Sequence, residues 1–65
     1  MTAIEFLIHR GPHRAVDIAN ALGRPVEAVY GDLIVGEGVG LVRQRVTHPR
    51  GSMPVVEWMW VGDWP

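Results

Sequence analysis

The segment 14-RAVDIANALGRPVEAVYGDLIVGEGVGLV-42 decides how this chain folds. Val16, Ile18, Ala19 and Leu22 recur at helical spacing, which predicts a helix over 14–22 with one apolar stripe. Gly23 should stop that helix, because glycine takes the left-handed conformation needed just past a helix end. Pro25 should restart it, since the first turn leaves the N–H that proline lacks unpaired anyway. Val26, Val29, Leu33 and Ile34 then predict a second helix over 25–35, with its own buried stripe. Gly31, Gly36, Gly38 and Gly40 are each costly in or beside a helix, by about 0.5–1 kcal/mol relative to alanine. Gly31 is expected to allow close approach by a partner backbone, whereas Gly36 and Gly38 are expected to fray the helix end and form the turn. Two helices joined by so short a turn must cross steeply.

The flanks have equally clear punctuation. Upstream, a helix is predicted over 3–10. Thr2 and Glu5 form a Thr-x-x-Glu capping box, in which each side chain satisfies the other residue's free backbone N–H. Met1 and Phe6 stand where a hydrophobic staple would close, and Ile4, Leu7 and Ile8 supply the inner face. Gly11-Pro12 ends this helix. Downstream, strands are predicted over 41–47 and 55–61, joined by the loop His48-Pro49-Arg50-Gly51-Ser52-Met53-Pro54. Alternation places Leu41, Arg43, Arg45 and Thr47 on one face of the first strand. In the second, Val56, Trp58 and Trp60 oppose Val55, Glu57, Met59 and Val61, and Glu57 is expected to pair with Arg43 or Arg45. Trp64, in the tail, has no evident place in so small a core. The layout is a single α+β domain over 1–65, three helices followed by a two-stranded β-hairpin.

Composition narrows the function classes. Sixty-five residues lie near the lower limit for folding without a staple, and no cysteine supplies one. A hydrophobic content of 48% is too high for disorder. No apolar run approaches the roughly 20 residues of a membrane span, and no secretion signal is evident, so a cytoplasmic location without a membrane partner is expected. His9, His13 and His48 do not share a helical face and read as surface histidines, with no metal site. There is no nucleophile motif, phosphate loop or paired-carboxylate site, so neither an enzyme nor a cofactor is expected. The net charge of −1 and pI near 6.2 count against strong sequence-independent DNA binding. However, all six cations are arginines, whose forked donors suit phosphate and guanine.

The run Asp17-Ile18-Ala19-x-x-Leu22-Gly23, then Pro25-Val26-x-x-Val29, Leu33 and Glu37-Gly38-Val39-Gly40-Leu41-Val42, resembles the bacterial winged helix-turn-helix regulators. The likeness is to their small one-domain versions in pilus operons and phages, and it covers nearly the whole chain. It implies a sequence-specific regulator of transcription, bound to double-stranded DNA as a homodimer. On that reading Arg14 meets a phosphate at the start of the second helix, and Arg24, Glu27 and Tyr30 act from the recognition helix. Arg43 and Arg45 contact phosphates, and Arg50, with His48 and Ser52, enters a flanking groove from the wing tip. The recognition helix is unusual in offering carboxylates, which phosphate repels and which suit only a donor such as cytosine N4. The alternative is a protein-interaction module of the same fold. It would dock through the acidic face of Glu27, Asp32 and Glu37 or through the Trp-rich hairpin. Trp58, Trp60 and Trp64 are then candidates for a partner or dimer interface, unless Trp58 and Trp60 simply cover the core.

Overall fold

Residues 1–62 are described by a computed structural model of the chain. Helix α1 spans Ala3–Arg10, α2 Ala15–Leu22 and α3 Val26–Gly38, followed by strands β1 (Val42–Thr47) and β2 (Val55–Trp60). The strands form an antiparallel hairpin in which Val42 pairs with Trp60, Gln44 with Trp58 and Arg45 with Glu57. The capping box closes as expected: the Glu5 N–H donates to Thr2 Oγ1, and the Thr2 N–H donates to Glu5 Oε1, both at 3.2 Å. Gly23 ends α2 at φ 65°, and the Arg24 N–H reaches back to the Ala19 carbonyl.

Leu7, Ile18, Val29, Leu33 and Val42 are fully buried and form the centre of the core. Ala3, Phe6, Ala15, Ala19 and Trp58 close around them. Several expected inward residues instead face out. Ile8, Val16 and Ile34 are exposed, while Phe6, Ala15 and Gly36 take the inward positions. The reason is crowding. At α2 and α3 the small Ala15 and Gly36 lie where elements close together, and the larger Val16 and Ile34 face outward. Phe6 turns in to meet the His13 ring edge-on at 4.9 Å, whereas Met1 stays largely exposed and contributes little as a staple.

Two further departures matter for the surface. α3 does not fray at Gly36 but continues through Gly38, where the Gly40 N–H bonds to the Glu37 carbonyl and the Leu41 N–H to that of Gly36. Within the protomer the close approach falls at Gly36. A Cβ at Gly36 would lie 2.5 Å from Ile4 Cδ1 and 3.2 Å from Val42 Cγ2, whereas one at Gly31 would meet nothing. His13 is also not a plain surface histidine. Its backbone forms an antiparallel bridge to Trp58, with N to O distances of 3.1 and 2.8 Å, adding a one-residue third strand to the sheet. Its ring Nδ1 lies 2.9 Å from the Gly11 carbonyl; a carbonyl can only accept, so that nitrogen carries the proton.

Candidate nucleic-acid interface

The turn between α2 and α3 brings Arg24 beside the middle of α3. Its Nη1 donates to Asp32 Oδ2 at 2.8 Å, with both side chains about one-third exposed. This pair removes one cation and one carboxylate from the set expected to act independently at α3. Arg14, at the start of α2, is engaged in the same way. It donates through Nε and Nη2 to the two carboxylate oxygens of Asp17, at 3.0 and 3.2 Å. The hydrogen bond from Arg14, then its charge, holds the Asp17 carboxyl below the usual carboxylate range, and Asp17 in turn raises the Arg14 pKa. Both groups are open to solvent, so the pair is a weak latch.

On the outward side of α3, Glu27, Tyr30, Gly31, Ile34, Val35 and Gly38 are exposed. Glu27 has no ion-pair partner among the described residues. Tyr30 stays open to solvent but lies edge-on to Trp58, with ring centroids 6.4 Å apart. The face is therefore apolar and acidic, with no unpaired cation. A shallow groove of about 240 Å³, lined by Thr2, Ile4, Asp32 and Val35, runs beside it.

The hairpin differs in character. Arg45 donates to its directly opposed partner Glu57 at 2.7 Å, the cross-strand pairing that alternation leads one to expect. Arg43 stands opposite Met59 and is exposed. At the tip, the Ser52 N–H donates to the Pro49 carbonyl at 3.1 Å, and Gly51 has φ 70°. That combination is a type II turn, whose third residue requires positive φ and therefore favours glycine. The turn puts Arg50 at its corner, flanked by exposed His48 and Ser52. Among the described residues, Arg10, Arg43 and Arg50 are the arginines without a carboxylate partner.

Trp58 and Trp60 do not form an exposed cluster. Trp58 is 3% exposed, fixed by its backbone bridge to His13 and by packing in the core, so it is not an interface residue. Trp60 is half-buried against the core, with Gly62 folded onto its ring. Trp64 lies outside the described residues. Sequence reasoning gave His13 and Gly36 other roles and left Val35 without one. The first two act through backbone proximity, which leaves no periodic signal. Among the described residues, no three His, Asp or Glu side chains converge as metal ligands, and no helix is long and apolar enough to cross a membrane. Compared with known proteins, the chain matches no family model, no curated protein and no solved structure.

Proposed function

We propose that this chain is a winged helix-turn-helix regulator that binds duplex DNA chiefly through its wing, the β1–β2 hairpin. One observation carries the reading. Arg43 and Arg50 are exposed and free of carboxylates on the hairpin, whereas Arg14, Arg24 and Arg45 are each held by an acid. The type II turn holds Arg50 at the projecting corner, which suits insertion into a narrow minor groove with its concentrated negative potential. Arg43, nearer the base of the hairpin, would meet a phosphate, and His48 and Ser52 would add hydrogen-bonding groups beside Arg50.

The engaged arginines form a reserve. Exposed ion pairs contribute only about 0–1 kcal/mol, so a phosphate can draw Arg45 or Arg14 away from its carboxylate. The released acid then stands near the DNA, which limits the gain. Affinity for random duplex should accordingly be modest, and sequence preference should come from groove shape more than from base edges read by α3. The outward face of α3 favours a second reading, in which the same fold serves as a protein-interaction module, because that face lacks free cations and is apolar at its centre.

Fluorescence anisotropy with a labelled duplex separates the elements. Arg50→Ala and Arg43→Ala should each weaken binding, leave the melting temperature unchanged and reduce the salt slope by about 1. Arg24→Ala should have a smaller effect. Binding that survives Arg50→Ala but disappears with Arg24→Ala or Tyr30→Ala would move the contact to α3 and overturn a wing-led mode.

A further inference from the structure

We infer that the outward face of α3 is the seat of a second copy of this chain, forming an antiparallel two-fold helix pair. The helix is apolar on both sides. Val29, Leu33 and Gly36 face the core, yet on the outside Tyr30 is 45%, Ile34 60%, Val35 67% and Val39 66% exposed. An apolar stripe on a helix belongs against another surface, and within the protomer only the inward stripe of α3 has one. The groove formed by Thr2, Ile4, Asp32 and Val35 extends the same surface onto α1.

Three features favour a second copy over another occupant. The first is the spacing along the outward line of α3. A two-fold axis between Ile34 and Val35 sets Gly31 against Gly38 of the second copy, and the Ile34–Val35 pairs interdigitate at the centre. A closed two-fold contact needs a self-complementary patch of this kind, in which i meets j and j meets i. A Cβ at Gly31 or Gly38 would meet nothing within the protomer, so the space beside both is open to a closely crossing helix. The second is charge. Asp32 is already neutralised by Arg24, and the exposed Glu27 and Glu37 lie towards the two ends of α3, so the central Ile34–Val35 contact strands no lone carboxylate. The third is scale. A standard interface covers about 800 Å² per partner, about a sixth of the 4520 Å² that the protomer exposes. The 13 residues of α3 make a strip about 20 Å long, and the α1 flank from Met1 to Ile4 broadens it towards that size. A chain this short, without disulfides, is also in the range where association commonly supplies missing stability.

This assignment does not depend on the wing binding DNA, and its test uses none. Sedimentation velocity on the whole chain should show a reversible doubling of the 7.2 kDa protomer mass in the micromolar range. Ile34→Asp should return it to the monomer with an unchanged far-ultraviolet circular dichroism spectrum. Because the chain has no cysteine, single-cysteine variants give a second measure that leaves the apolar seam largely intact. Under mild oxidation Ile34→Cys should cross-link between copies at least tenfold faster than Val16→Cys, which sits exposed on α2. A wild-type chain that stays monomeric at several hundred micromolar would overturn the proposal, as would equal cross-linking rates at the two positions. If Ile34→Asp unfolds, the cross-linking comparison decides alone.

Discussion

At the scale of single residues, what matters most is which arginines and which apolar side chains are already engaged. Arg24 and Asp32 are eight positions apart and meet only because the Gly23-Arg24-Pro25 turn folds one onto the other. No local pattern announces that pairing, whereas Arg45 and Glu57 follow from strand alternation once the hairpin is drawn. Inward and outward assignments show the same division. Leu7, Ile18, Val29 and Leu33 fall on the expected faces and are buried, but Ile8, Val16 and Ile34 do not. Apolar residues fill five of the eight positions of α1 and six of the eight of α2, so spacing alone does not choose between Ala15 and Val16 or between Phe6 and Ile8. Leu33 is the sharpest probe of the core. It is fully buried in the helix that touches both α1 and α2, and Leu33→Ala should cost about 2–5 kcal/mol. Chemical denaturation measures this, and an unchanged unfolding midpoint would show that the core is not built around that side chain.

At the scale of elements, the breaks were legible and the contacts between elements were not. Gly11-Pro12, Gly23-Arg24-Pro25 and the loop from His48 to Pro54 punctuate the chain where its helices and strands end. The exit of α3 was the exception. Glycine's low helix propensity argues for fraying at Gly36, but the tertiary context overrides it. The helix runs on with Gly36 packed beneath Ile4 of α1 and Val42 of β1, where an added Cβ would have to displace the end of the Ile4 side chain. Gly36→Ala should therefore destabilise the domain by about 1–3 kcal/mol through overpacking, although alanine is the better helix former. Its melting temperature would rise instead if Ile4 simply turned aside. The His13–Trp58 bridge likewise has no periodic signature, being a single rung between a loop and a strand. It ties the hairpin to the α1–α2 corner, so the base of the hairpin is anchored while its tip projects.

At the scale of the whole molecule, the charge distribution separates two surfaces. The hairpin carries Arg43 and Arg50 without partners, and the outward face of α3 carries exposed aliphatic side chains with Glu27. One surface suits a polyanion and the other suits a protein, which is why a net charge of −1 is a poor guide to either. The two surfaces also predict opposite responses to salt. Contacts with phosphate weaken steeply as salt rises because binding releases counterions, whereas an apolar seam between copies does not depend on charge. A dimer seated on α3 would present two wings, doubling the number of available arginines without any change in the protomer.

The measurement that bears most directly on DNA binding through the wing is an anisotropy titration of the wild-type chain against random duplex DNA at about 50 and about 200 mM salt. Two or three phosphate contacts per protomer predict a slope of log affinity against log salt of about −2 to −3. A wing-led DNA binder should show that slope. Binding that is absent at low salt, or equally strong at both salt concentrations, would contradict electrostatic contact through Arg43 and Arg50 and would favour the protein-interaction reading.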